Sequence, residues 1–124
     1  MDKENAIKLV REIVGPYNIK IDEPMTNHTS FKVGGNADIM VLPENDIQIV
    51  KIVEFCKREG IPFFIMGNGT NIIVRDKGIR GVVIKTCGRL ERYSVKDCVI
   101  EAESGVLLSK LAEVALEHGL TGLE

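Results

Sequence analysis

Cysteine is scarce in this chain of 124 residues: Cys56, Cys87 and Cys98 form an odd set with no CxxC pair. That argues against a disulfide framework and supplies no zinc spacing, so the thiols read as free. Histidine is scarcer still, with His28 and His118 far apart in sequence and at no ligand spacing from any cysteine, so no metal is expected. Neither sign of charge dominates. Lys plus Arg number 16 against 18 Asp plus Glu, a net charge of −2, and no basic block is present to neutralise a phosphate backbone, so nucleic acid is not an expected partner. No apolar run is long enough to cross a bilayer. The first ten residues carry Asp2, Lys3, Glu4 and Lys8 where a signal peptide needs a continuous apolar stretch. The expectation is a cytoplasmic protein without a membrane contact. Low-complexity tracts, internal repeats and linker-like segments are missing too.

What is present is a core. With 44% hydrophobic residues a chain of this length can bury roughly two-thirds of its unfolded surface, enough for one domain, or one and a piece of another. Residues 5–14 place Ala6, Leu9, Val10 and Ile13 on one helical stripe, which Gly15 and Pro16 end. An irregular stretch is expected through Pro24 and the Gly34–Gly35 pair, then a buried strand over 37–42 closed by Pro43. Asn45 can cap a helix over 46–59, with Gln48 completing a capping box and Gly60 as its stop. A strand over 61–66 follows, so 37–66 reads as a right-handed βαβ unit with parallel strands, the helix covering them with Ile49, Val53 and Cys56. Further on, 72–74 and 81–85 read as strands, and 90–95 with 98–103 as a hairpin turning at Lys96 and Asp97 with Cys98 inside its second strand. A last helix is expected over 107–118, stopped by Gly119.

Between the strands expected at 61–66 and 72–74 lie Gly67, Asn68, Gly69, Thr70 and Asn71. Two glycines permit a tight turn with no β-carbon over its concave side, and Thr70 and Asn71 add a hydroxyl and an amide. Successive main-chain N–H groups in such a turn can converge on an anion. A dinucleotide fingerprint would need a third glycine and a helix directly after it, and a P-loop a Gly-Lys-Ser/Thr ending; neither is here. An ordinary tight turn and a phosphate cradle both remain open on these residues alone. The expected position at the C-terminal end of a parallel strand, where α/β sheets bind ligands, favours the cradle.

The run His28, Thr29, Ser30, Phe31, Lys32, Val33, Gly34, Gly35, Asn36, Ala37, Asp38 resembles the HTSF[KR]VGGxAD segment of bacterial UDP-N-acetylenolpyruvoylglucosamine reductases. The loop from Gly67 to Asn71 is similar to that family's GxG[ST]N signature. The stretch from Glu101 to Gly105, with the helix and GLTGLE after it, resembles the lead into its next glycine-rich segment. Together these span the chain from Met25 onward in the family's order. Asn36 stands where proline is common in the family, a neutral change because asparagine tolerates the same turn.

The resemblance implies an α+β, βαβ-containing FAD-binding fold of the vanillyl-alcohol-oxidase (PCMH) type, truncated. It divides into an N-terminal α/β FAD-binding lobe with a leading helix over 1–80 and the incomplete start of a second α+β lobe over 81–124. FAD is the implied cofactor. Its pyrophosphate would be held by Gly67, Asn68, Gly69, Thr70 and Asn71, with Met66 lining the approach and Ser104 and Gly105 as further contacts. Thr29 to Gly35 would either support this site or act as a turn holding the leading segment against the sheet. The implied reaction is reduction of UDP-N-acetylglucosamine enolpyruvate to UDP-N-acetylmuramate in peptidoglycan synthesis, with NADPH and the UDP-sugar as partners of the complete enzyme. The family's catalytic arginine, glutamate and serine lie beyond the point matching Glu124, and Arg75, Arg80 and Ser109 carry none of their motifs. The ending, from Gly119 to Glu124, reads as cut off. The chain alone is therefore expected to be inactive, to hold FAD weakly or not at all, and to self-associate. Two other readings stay open: a piece of another FAD-dependent oxidase or dehydrogenase of the same fold, and a noncatalytic α/β interaction module.

Overall fold

The computed structural model describes residues 2–123. The leading helix α1 (Lys3–Val14) starts where the Asp2 side chain accepts a hydrogen bond from the Asn5 N–H at 2.8 Å, and it buries Ala6, Val10 and Val14. Strand β1 (Ile19–Pro24) follows and pairs antiparallel with β2 (Asn36–Val41). β1 occupies ground expected to be irregular. Its proline, its charged residues Lys20, Asp22 and Glu23, and an Asp22 φ of 50° mask the alternation, and all are tolerated because the strand forms a sheet edge.

Helix α2 (Asp46–Glu59) is capped by Asn45, whose side chain accepts from the Gln48 N–H at 2.9 Å. Gln48 in turn accepts from the Glu44 N–H at 2.8 Å, so the reciprocal bond lands one residue earlier than a capping box requires. The helix ends with Gly60 in the left-handed region at φ 68°. Its fully buried residues are Ile52, Phe55 and Cys56, while Ile49 and Val53 sit half-buried at the rim, which rotates the expected face toward Phe55. Burial raises the Cys56 thiol pKa to about 11.

Strands β3 (Phe63–Met66) and β4 (Ile79–Lys85) complete a four-stranded sheet in the order β1-β2-β4-β3. β2 and β3 are each parallel to β4, which lies between them. Residue 80, the expected division, falls inside β4, one of the sheet's two inner strands. The strand expected over 72–74 does not form. Val74 is buried at 6% exposure, but its carbonyl is pressed against Gly34, where a β-carbon would lie 2.2 Å from the oxygen. Its backbone is thus committed to a loop contact rather than a ladder.

The sheet's two faces are covered differently. On one, α1 and α2 pack Val10, Ile52, Phe55 and Cys56 against Ile39, Val41, Val82 and Ile84. On the other, Met40 and Val83 meet Met25, Met66 and Val74, contributed by a 3₁₀ turn (Met25–Asn27), a strand end and a loop. The hairpin of β5 (Tyr93–Lys96) and β6 (Val99–Ala102) stands as a separate two-stranded sheet. It turns at Asp97 and Cys98, with Asp97 at φ 52°. Cys98 is therefore an exposed turn residue rather than part of a strand. Helix α3 (Leu108–Glu117) buries Val114 and Ala115. No helix among the described residues is long and apolar enough to cross a membrane.

Candidate functional site

β3 and β4 are parallel, so the segments leaving them emerge at one edge of the sheet. The 67–71 loop follows Met66, and the 86–90 turn follows Lys85. Thr86, only 2% exposed, ties the two together. Its N–H donates to the Met66 carbonyl at 3.0 Å, and its hydroxyl lies 3.3 Å from both the Met66 and the Ser104 carbonyl oxygens. The Gly105 N–H donates to the Leu90 carbonyl at 2.7 Å. A β-carbon on Gly105 would lie 2.2 Å from the Thr86 oxygen and 2.5 Å from that of Leu90, so only glycine fits there.

These anchors set Ser104, Gly105 and the first turn of α3 opposite the 67–71 loop, across a cleft of about 320 Å³. Of the residues singled out from sequence, Gly67, Asn68, Thr70, Ser104 and Gly105 line it. Met66 is buried beneath it at 3% exposure. Asn71 is exposed and lies outside the lining. Gly69 faces inward: it adopts φ 76°, and a β-carbon there would lie 2.0 Å from the His28 carbonyl oxygen. Gly67 is the opposite case, with nothing within 4 Å of an added β-carbon. Gly69 has no room for a side chain, whereas Gly67 stands in open space in the lining. Sequence reasoning missed Thr86, whose only signal is a polar residue closing the apolar run of β4. It also missed residues 106–109 as a wall of the site.

The chemistry of the cleft is that of neutral donors. Among the described residues the N–H groups of Gly67 to Asn71 find no acceptor, and neither do those of Leu108 and Ser109 at the start of α3. A helix N-terminus adds partial positive charge to such a set. No side chain in the lining titrates: it consists of Gly67, Asn68, Thr70, Ser104, Gly105, Val106, Leu107, Leu108 and Ser109. The arrangement can hold an anion through backbone and hydroxyl donors, and it carries no general acid or base. Among the described residues no cluster of three or more His, Cys, Asp or Glu side chains could hold a metal ion.

A polar cluster lies under the loop. The His28 ring, 7% exposed, has Nε2 at 3.2 Å from Glu23 Oε1 and Nδ1 at 2.9 Å from Lys85 Nζ. Burial lowers the imidazole pKa, the hydrogen bond to Glu23 pulls it back up and the Lys85 charge pushes it down again, leaving it below the ordinary value. Burial alone would raise the Glu23 carboxyl. Hydrogen bonds from His28 and Asn27 and the charge of Lys20 outweigh that and hold it below the usual range.

Parallel strands whose C-terminal ends feed a cleft lined by neutral donors, with loops covering one sheet face, fit an α/β ligand-binding domain, and the known proteins most like this chain specify the ligand. A profile of the family described as "FAD binding domain" matches residues 37–124, and the chain belongs to that family. FAD is the family's cofactor. The UDP-N-acetylenolpyruvoylglucosamine reductase of Clostridium kluyveri is 54% identical over 96% of this chain and 38% of its own length. That of Alkaliphilus oremlandii is 44% identical over 100% of this chain and 41% of its own length. The resemblance seen in the HTSF and GNGTN segments thus holds along nearly the whole chain, which spans about two-fifths of the length of these relatives. Among solved structures, an alkyldihydroxyacetonephosphate synthase superposes with a TM-score of 0.72 at 17% identity, covering 96% of this chain and 28% of its own. A p-cresol methylhydroxylase does so with a TM-score of 0.63 at 20% identity, covering 94% of this chain and 25% of its own. The fold is that PCMH type.

Proposed function

We propose that this chain is the pyrophosphate-holding part of a flavin-dependent UDP-N-acetylenolpyruvoylglucosamine reductase acting in the cytoplasm in peptidoglycan synthesis. The carrying observation is that the N–H groups of Gly67 to Asn71 have no acceptor among the described residues, while Gly67, Asn68 and Thr70 line an open cleft whose other wall is residues 104–109. Gly67, Asn68 and Thr70 would hold the FAD pyrophosphate from one side, and Ser104 with Gly105 from the other. Gly69 and Asn71 would contribute N–H groups, and Met66 would support the loop from below. When bound, FAD supplies hydride transfer from NADPH to the enolpyruvyl double bond of the UDP-sugar. The residues here bind and orient. With no titratable group in the lining, proton donation and enolate stabilisation fall to the part of the relatives' length that this chain does not match.

The two expected lobes suit this role, a sheet lobe whose last strand β4 runs on to Lys85 and a second lobe carrying the hairpin and α3. On its own the chain is expected to be catalytically inactive, to bind FAD weakly or not at all, since each ~1.4 kcal/mol of lost contact is tenfold in affinity, and to self-associate through exposed Leu108, Leu116 and Val99. The test replaces the matched stretch of the Clostridium kluyveri reductase with this chain. A yellow chimera that oxidises NADPH only when the enolpyruvyl UDP-sugar is added is the expected result. A yellow chimera without that turnover points to another flavin oxidase or dehydrogenase, and a colourless, folded one rejects the cradle.

A further inference from the structure

His28 is the one buried imidazole, and both of its ring nitrogens are engaged. An ammonium can only donate and a carboxylate can only accept. Lys85 therefore donates to Nδ1, and the proton on the imidazole sits on Nε2, directed at Glu23. A neutral ring bridges a cation and an anion.

The same residue's main chain supports the cradle. The His28 carbonyl oxygen lies where a β-carbon on Gly69 would come within 2.0 Å. Two residues on, the Ser30 N–H donates to the Gly69 carbonyl at 3.1 Å. Between them Thr29, 6% exposed, fixes the turn, its hydroxyl accepting from the Lys32 N–H at 3.2 Å. The 28–30 segment therefore backs the 67–71 loop through main-chain contacts, and its position is set by where the His28 ring is pinned. The charged groups facing that ring are Lys20 and Glu23 from β1 and Lys85 from β4.

We propose that His28 is a positioning residue for the 67–71 loop, and that the Lys85–His28–Glu23 relay holds the loop in its anion-binding shape only while the imidazole is neutral. Protonation puts a second proton on Nδ1. The Lys85 ammonium then loses its acceptor and meets a like charge at contact distance, so the ring must move and the 28–30 backbone with it. The burial and the Lys85 charge that disfavour the imidazolium place this event below the ordinary histidine value of about 6.5. The coupling serves flavin binding only if the loop is the pyrophosphate cradle, and the two ideas fail on different signals.

The experiment is a ¹⁵N NMR titration of this chain between about pH 5 and pH 8. The expected result is an Nε2–H tautomer at neutral pH, an inflection below the ordinary value, and amide shifts of Ser30 and Gly69 that follow the same midpoint. Lys85→Met should move that midpoint up and Glu23→Gln should move it down, with the two amides following in each case. In His28→Gln, whose side chain does not titrate, the amides should no longer respond in this range. Ser30 and Gly69 amides that stay flat through the His28 inflection would overturn the proposal, as would a midpoint that neither substitution shifts. Adding FAD at neutral pH is a separate arm: shifts at Gly67 to Asn71 support the cradle. In the chimera with the Clostridium kluyveri reductase, failure to bind FAD contradicts the proposed function, while the pH titration of this chain still decides the coupling.

Discussion

The sheet lobe and the hairpin-helix lobe are built on different terms. In the first, Ile52, Val82, Val83 and Ile84 are 0% exposed and helices seal one face of the sheet. In the second, Leu108 is 71% and Leu116 79% exposed, and the hairpin pairs only with itself. The sheet lobe carries its own core, whereas the other is tied to it by the Leu90 N–H on the Thr86 carbonyl, the Thr86 hydroxyl beside the Ser104 carbonyl, and an ion pair of Arg89 with Glu44. The candidate site lies at that join. One wall of it, Gly67, Asn68 and Thr70, leaves the sheet, and the other, 104–109, belongs to the part with the hairpin and α3.

Substitutions break the comparison in order of size. Phe55→Ala, at 2% exposure in the sheet lobe, should cost about 3–5 kcal/mol and show as a large drop in urea midpoint. Gly69→Val should cost about 1–3 kcal/mol through its left-handed backbone alone, more from the contact with the His28 oxygen, and should remove flavin from the chimera. Acid should act next. Both His28 and Glu23 have native values below their ordinary ones, so unfolding takes up protons. The His28 contribution is complete above pH about 6.5 and is lost as pH falls through the lowered native value; that of Glu23 is lost in the same direction below pH about 4.5. Melting temperature should fall on acidification, and His28→Gln should flatten the upper of these two steps. Leu116→Ala on the exposed face of α3 should change stability by no more than about 0.5 kcal/mol, while reducing self-association measured by sedimentation. A large loss of stability there would mean that the two lobes share one core.

Much of this was legible in sequence where a local rule governs. Asn45 and Gly60 bracket α2 because capping and left-handed stops are set within a few residues. The GNGTN segment declared a turn at a strand end for the same reason. What escaped depended on distant partners. β1 is a strand only because β2 lies beside it, and 72–74 is not one because Gly34 meets Val74. The α2 face turned toward Phe55, since the sheet rather than the helix period decides which residues go deepest. Ser104 and Gly105 could be named from turn chemistry and family likeness. That Thr86 would bind them to the Met66 loop could not, because it joins residues 18 and 20 positions apart.

The central claim is that backbone donors around Gly67 hold an anion. Gly67→Val tests it most directly, because Gly67 lines the cleft and an added β-carbon meets nothing within 4 Å, so the side chain is added at the site without touching the core. FAD titrated into the apo chimera, read by quenching of flavin fluorescence, should bind the variant at least about tenfold more weakly, a loss of ~1.4 kcal/mol, with an unchanged melting temperature. Equal affinity in the variant and its parent would place the pyrophosphate elsewhere and contradict the account.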